Sequence, residues 1–97
     1  MHLYEVIKHP VITEKTRYQA LQLGQYTFMV DRSANKAMIK QAVEEIYDVE
    51  VVTVNTMLMP AKTAKRWGRR HVVRQPVWKK AVVKLAEGDT IPVFEGG

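Results

Sequence analysis

The middle of the chain constrains the fold more than any other stretch. Gln25 to Asp31 alternates its side chains between two faces, which is the pattern of a strand with one buried face. Ser33 is a candidate N-cap for a helix that runs from Ala34 to about Asp48. Glu50 to Leu58 is rich in β-branched residues and predicts a second strand. Because a helix connects these two strands, we expect them to run parallel.

A third strand is predicted from Trp78 to Leu85. Its residues alternate, so that Ala81, Val83 and Leu85 point one way while Lys80, Val82 and Lys84 point the other. We expect this strand to insert between the other two and to run antiparallel to both. The fold class is therefore α+β, with a mostly antiparallel sheet of three main strands plus a short N-terminal strand, two helices and a long basic hairpin loop.

The core is predicted from the same patterns. The first strand places Tyr26, Phe28 and Val30 on one face, and the helix has an apolar stripe at i, i+3, i+4 and i+7 spacing. The stripe consists of Ile39, Ala42, Val43 and Ile46. With 97 residues, the chain is expected to form a single domain over residues 1–97, with an extended basic loop at 60–76.

Smaller elements are predicted near the two ends. Tyr4 to Ile7 is a candidate short strand, and Pro10 should end it, because proline cannot donate to a sheet ladder. Thr13 is a candidate helix N-cap, and Gly24 stands where such a helix commonly ends. Three apolar side chains of that helix are expected to face inward: Tyr18, Leu21 and Leu23. We expect residues Gly88 to Gly97 to form a short tail that is mobile at its end.

Charge is distributed unevenly along the chain, whose net charge is +5. Residues 1–50 carry six Lys or Arg and seven Asp or Glu. Residues 51–86 carry nine Lys or Arg and no acid, and residues 87–97 carry three acids and no base. A surface that only needs to be soluble mixes both signs, so a block of one sign indicates a polyanionic partner. We therefore expect the chain to bind RNA mainly through residues 51–86.

The connection from Pro60 to Val77 is longer than compact domains usually contain, and six of its residues are Lys or Arg. Arginine can hold phosphate bidentately, and Trp67 can stack on a base, although the ring could instead anchor the loop by packing. Trp78 is expected to pack near the sheet edge. The predicted RNA contacts of the basic block are Lys62, Lys65, Arg66, Trp67, Arg69, Arg70, Arg74, Lys79, Lys80 and Lys84.

Catalysis, metal binding and membrane insertion are not indicated by the sequence. The chain has no cysteine, its three histidines are scattered, and the single serine is better explained as a cap. Glu44 and Glu45 are adjacent on the predicted helix and therefore point apart. The N-terminus has no apolar run long enough for a signal peptide or a membrane span. We expect a cytoplasmic protein that is not an enzyme, holds no metal or cofactor and does not insert into a membrane.

Four segments together resemble a known family. They are HPVITEKT (9–16), YTFMVDRSANKAMIKQAVEEIYDVEVVTVNT (26–56), KRWGRR (65–70) and WKKAVVKLAEGDTI (78–91). Their combination is similar to the universal large-subunit ribosomal protein family twenty-three, in its short bacterial form, which lines the rim of the polypeptide exit tunnel. The resemblance implies an α/β sandwich whose last strand lies between its neighbours, and direct binding to large-subunit rRNA. It adds Lys8, Lys15, Lys36 and Lys40 as further rRNA contacts.

The resemblance also implies protein partners. These are a neighbouring small helical ribosomal protein, trigger factor, the signal recognition particle and the translocon. The family's motif for trigger factor matches residues 12–15, which makes Ile12, Thr13 and Glu14 the expected chaperone-docking residues. Glu14 would also stabilise the first turn of its helix through the helix dipole. From composition alone, a free-standing RNA-binding regulator and, less favoured, a small enzyme remain alternatives.

Overall fold

The computed structural model of the chain describes residues 2–60, 62–66, 70–75 and 77–95, without the side chains of residues 62–66 and 70–75. Its first half contains helix α1 (Leu3–Val6), strand β1 (Ile7–Pro10), helix α2 (Glu14–Tyr18) with a π-helical continuation (Gln19–Leu23), strand β2 (Gln25–Val30) and helix α3 (Lys36–Tyr47). Its second half contains strands β3 (Val51–Met59), β4 (Lys62–Arg66), β5 (Arg70–Gln75) and β6 (Trp78–Leu85), and a 3-10 turn (Pro92–Phe94).

The main sheet has the strand order β1-β2-β6-β3, and every neighbouring pair is antiparallel. Strand β6 therefore lies between β2 and β3, as the sequence predicts, and the α+β fold class is confirmed. The short N-terminal strand is also present, but its predicted bounds are wrong. Tyr4 belongs to helix α1, which His2 caps through its side chain, and the strand begins only at Ile7 and ends at Pro10.

Strands β4 and β5 lie within the long connection and pair with each other in a separate two-stranded antiparallel sheet. The register places Arg66 opposite Arg70. This pairing gives the predicted hairpin loop a backbone ladder of its own, which the composition of the segment did not indicate.

The core lies between one face of the main sheet and helix α3. The inward residues predicted for β2, for β6 and for most of the α3 stripe are buried, while Ile46 is half-buried against them. The end of the chain completes this core, because Ile91 and Phe94 are fully buried. The ring of Phe94 packs edge-on against Tyr26 and Phe28, at centroid distances of 5.1 and 5.7 Å. The predicted mobile end of the tail falls on residues 96 and 97, outside the described residues.

Helix α3 begins later than the sequence predicts. Its N-cap is Asn35, whose Oδ1 accepts a hydrogen bond from the Met38 backbone N–H at 2.9 Å. Ser33 is therefore not the cap. Its backbone N–H and hydroxyl instead donate to the Asp31 carboxylate. An Asp side chain that bonds two residues ahead stabilises a turn, and this turn occupies the residues between β2 and the helix.

Helix α2 begins as predicted at the Thr13 cap, and its π-helical continuation ends at Gly24, which has the left-handed φ of 66°. The predicted inward side chains are wrong, because Tyr18, Leu21 and Leu23 are 62%, 59% and 50% exposed. The buried residues are Thr16 and Ala20, four positions apart on one side of the helix. Their small side chains let the helix lie close to β2, and the larger apolar residues remain outside.

Candidate nucleic-acid interface

The outward face of the sheet is the side of β2, β6 and β3 that turns away from the core. In β6, Lys80, Val82 and Lys84 alternate with the buried residues and lie on this face. The register places Met29 and Met57 beside Lys80. The described positions of the outward face are Gln25, Thr27, Met29, Thr53, Asn55, Met57, Met59, Trp78, Lys80, Val82 and Lys84. None of these is acidic, and Thr27 is buried.

Lys80 and Lys84 are the two cations of this face. They are four positions apart, which corresponds to about 13 Å along β6. Lys84 is exposed, Lys80 is half-buried among methionines, and Thr53 and Gln25 lie beside Lys84. A lysine stem packed on apolar neighbours keeps its ammonium group at the surface. Two cations on an acid-free face are suited to two phosphates of one nucleic-acid strand.

Lys79 differs from its neighbours, because it lies on the inward side of β6. It is half-buried, and its Nζ donates a hydrogen bond to the backbone carbonyl of Ala34, just before helix α3. This ammonium group therefore ties β6 to the start of the helix. The alternation of β6 already separates Lys79 from Lys80 and Lys84, and the structure gives it a partner within the protein.

The connection contributes six of the nine cations of residues 51–86. Lys62, Lys65 and Arg66 are positions of β4, and Arg70 and Arg74 are positions of β5. Both strands attach next to the outward face, since β3 ends at Met59 and β6 begins at Trp78, its register partner. Trp67 and Arg69 lie outside the described residues.

Four further predicted contacts are scattered over the first half of the chain. Lys8 lies in β1, Lys15 in α2, and Lys36 and Lys40 in α3, and all four are exposed. The ammonium group of Lys40 is 3.9 Å from the Glu44 carboxylate, one helical turn away. An exposed pair of this kind contributes little to stability, so Lys40 can exchange this partner for another anion. These four residues belong to three different elements of the fold.

A shallow cavity of about 320 Å³ opens at the end of strand β2, beside the start of β6. The end of β2 and the starts of β1 and β6 meet there, because the register pairs Val30 with both Ile7 and Lys79. The lining residues are Lys8, Met29, Val30, Asp31, Arg32, Val77 and Trp78. Arg32 is exposed and was not among the predicted contacts. Three separate segments form this cavity, so no local sequence pattern could reveal it.

Asp31 is the acid of this cavity. The two hydrogen bonds from Ser33 hold the pKa of the Asp31 carboxyl below its usual range, and the nearby Lys8 and Lys79 ammonium groups act in the same direction. Both of those hydrogen bonds fall on Oδ2, with Ser33 N at 2.9 Å. The carboxylate is therefore charged at neutral pH and already engaged within its own turn.

The predicted docking residues lie together at the start of α2. Thr13 and Thr16 form a reciprocal cap, in which Thr13 N–H donates to Thr16 Oγ1 at 2.7 Å and Thr16 N–H donates to Thr13 Oγ1 at 3.1 Å. The hydroxyl of Thr13 therefore has a structural role. Glu14 is exposed in the first turn of the helix, and Ile12 is 37% exposed beside it. Together they present an acid next to an apolar side chain.

Within residues 2–60 and 77–95, no group of three or more His, Asp or Glu side chains is placed to hold a metal ion. Over the same part of the chain, no helix is long and apolar enough to cross a membrane.

Comparison with known proteins identifies close relatives. The profile of a family described as Ribosomal protein L23 matches residues 5–93. The chain is 48% identical to the Large ribosomal subunit protein uL23 of Geobacter sulfurreducens, over 98% of this chain and 99% of the relative. It is 48% identical to the uL23 protein of Symbiobacterium thermophilum, over 99% of each chain. It is 49% identical to that of Anaeromyxobacter dehalogenans, over 95% of this chain and 93% of the relative.

Proposed function

The chain belongs to the ribosomal protein L23 family, and from this membership we propose that it is a structural component of the large subunit of cytoplasmic ribosomes. Its relatives bear the name of a large-subunit protein and align with it over nearly their whole length. Family membership, rather than any absence from the structure, supports a role that is not enzymatic. Large-subunit rRNA and neighbouring ribosomal proteins, including a small helical one, are then its constant partners.

The proposed rRNA-binding surface combines the outward face of the sheet with the basic connection. The observation that carries this proposal is the acid-free face of β2, β6 and β3, on which Lys80 and Lys84 lie. The connection attaches at the edge of this face and adds six Lys or Arg residues. Phosphate contacts of this kind dominate the affinity of proteins for nucleic acids. The proposed contacts remain those predicted from the sequence, with Lys79 the weakest of them because its ammonium group is bonded to Ala34.

The proposed position of the protein is the rim of the polypeptide exit tunnel. There, factors that meet the nascent chain would dock on the start of α2. Exposed Glu14 offers a carboxylate to a cationic side chain of trigger factor, and Ile12 offers adjacent apolar surface. Because residues 12–15 resemble the family's docking motif, the signal recognition particle and the translocon are proposed to use the same region at other times.

Co-sedimentation tests the ribosomal role directly. The purified chain should sediment with large subunits that lack this protein, in moderate salt, and should bind protein-free large-subunit rRNA with an affinity that falls as salt rises. Small subunits serve as the control and should bind much less. Absence of the chain from the large-subunit fraction would leave the free-standing RNA-binding regulator as the better explanation.

Reversal of charge at Glu14 tests the docking site. Glu14→Lys should weaken binding of trigger factor to large subunits by at least about tenfold, because a desolvated charge pair is replaced by repulsion. The matched control is Glu5→Lys, which makes the same charge change at another exposed first-turn position, on α1. Both variants should assemble normally, as judged by sedimentation. Equal binding of trigger factor to the two variants would remove Glu14 from the docking site.

A further inference from the structure

We infer that the cavity at the end of β2 and the start of β6 is a binding site for one unstacked nucleotide of the bound RNA. This inference rests on the proposed rRNA binding and specifies where a base, rather than a phosphate alone, is held. In this site the base stacks on Trp78, and its phosphate lies between the side chains of Lys8 and Arg32. Contacts to phosphate alone position an RNA strand on the protein, whereas a pocket that holds a base also fixes the register of that strand.

The size and lining of the cavity fit a single base. Its volume of about 320 Å³ lies at the lower end of the range of small-ligand pockets, which is about 300–1,000 Å³. Apolar surface comes from Met29, Val77 and Trp78, all half-buried, so it is accessible from solvent without any rearrangement of the sheet. An accessible tryptophan face binds any base by stacking, because every base has a π-surface.

The charges around the cavity fit a nucleotide better than an apolar side chain of a partner protein. Two exposed cations, Lys8 and Arg32, and one acid, Asp31, line the cavity. That acid, Asp31, is bonded to Ser33 through Oδ2 and lies near the Lys8 and Lys79 ammonium groups. The balance at the opening is therefore positive. A phosphate is attracted to the two cations, and the Asp31 carboxylate can accept a hydrogen bond from a sugar hydroxyl or an amino group of the base.

The position of the cavity also connects it to the main RNA-binding surface. Trp78 is the first residue of β6 and pairs in register with Met59, the last residue of β3. The basic connection therefore leaves and re-enters the sheet beside the cavity. Lys80 lies two residues beyond Trp78 on the same outward face. An RNA strand that crosses this face can turn one base into the cavity while its neighbouring phosphates remain on lysines.

The decisive experiment measures binding of the full chain to protein-free large-subunit rRNA. Trp78→Leu should weaken binding by about tenfold or more, in line with the usual cost of losing one stacked base. Trp78→Phe keeps a ring and should retain most of the affinity. The matched control is Tyr18→Leu, which removes an exposed ring from α2, and it should bind like the unchanged protein. Thermal unfolding of each variant shows whether it is folded.

Two further measurements locate the nucleotide, and the first uses the unchanged protein, so it does not depend on how a variant folds. Ultraviolet cross-linking to the same rRNA, followed by mass spectrometry, should place a nucleotide on Trp78. The quenching of tryptophan fluorescence by rRNA should be smaller in Trp78→Phe than in the unchanged protein.

The possible outcomes separate the two proposals. If the unchanged chain binds rRNA with a steep salt dependence, but Trp78→Leu binds equally well and no nucleotide is cross-linked to Trp78, the nucleotide site is wrong and the proposed function stands. A protein side chain in the cavity would give that same result with protein-free rRNA. If the unchanged chain does not bind the rRNA at all, the proposed function is wrong and the nucleotide site fails with it.

Discussion

At the scale of single residues, the pair Thr13 and Thr16 determines how helix α2 begins. Each hydroxyl accepts the backbone N–H of the other residue, so two N–H groups that a helix start leaves free are both satisfied. The Thr16 hydroxyl also donates to the Val11 carbonyl at 2.8 Å, which ties the helix to the end of β1. Thr16 takes the place of the glutamate in the usual capping box, because its hydroxyl accepts the Thr13 N–H.

Removal of the cap hydroxyl should lower stability. Thr13→Ala should reduce the free energy of unfolding by about 0.5–2 kcal/mol, since a hydrogen bond to the Thr16 N–H is lost at the helix start. Thr13→Ser keeps the hydroxyl and should stay within about 0.5 kcal/mol of the unchanged protein. Denaturant unfolding followed by circular dichroism measures both. An alanine variant as stable as the serine variant would show that the cap contributes nothing measurable.

At the scale of elements, the sequence predicts those whose burial follows a regular period. The alternation of β6 and the stripe of α3 are confirmed, because a strand or helix with one buried face must repeat apolar residues at its own period. Helix α2 departs from this rule. Its contact with the sheet is made by Thr16 and Ala20, and the larger Tyr18 and Leu21, for which the sequence predicts an inward position, are exposed. The cavity at Trp78 was not predictable, since its residues come from three segments.

The burial of Phe94, in the 3-10 turn at Pro92–Phe94, could not be predicted from a regular period either. The buried Ile91 and Phe94 lie in a short, glycine-containing tail, and no regular period marks Phe94 as buried. Its burial depends on an aromatic contact with Tyr26 and Phe28, more than 60 residues earlier in the chain. Only the tertiary fold creates that contact.

Truncation of the Phe94 side chain should be strongly destabilising. Phe94→Ala should cost about 3–5 kcal/mol, because it removes two edge-on aromatic contacts and leaves a cavity in the core. The matched control is its neighbour Val93, which is 48% exposed, and Val93→Ala should change stability by about 0.5 kcal/mol or less. The midpoint of thermal or denaturant unfolding measures the difference. Similar midpoints for the two variants would contradict the buried position of Phe94.

At the scale of the whole molecule, the two signs of charge have separate roles. Several acids bind backbone N–H groups where elements begin: Glu44 accepts from Val51 at 3.0 Å, and Asp89 accepts from Glu50 at 2.8 Å. These bonds hold the start of β3 and the turn after β6. On the described outward face of the sheet, by contrast, the charged residues are lysines. These two acids thus stabilise the fold, whereas Lys80 and Lys84 remain available for a polyanion.

This separation predicts how rRNA binding should respond to salt. Replacing Arg66, Arg69 and Arg70 together by alanine should weaken binding and reduce the slope of log affinity against log salt by about 2–3, if each arginine contacts one phosphate. The matched control replaces the same three residues by lysine. It keeps the charge, so the slope should be preserved while the loss of bidentate contacts lowers the affinity modestly. Filter binding at several salt concentrations measures both quantities. An unchanged slope in the alanine variant would show that these three arginines do not contact phosphate.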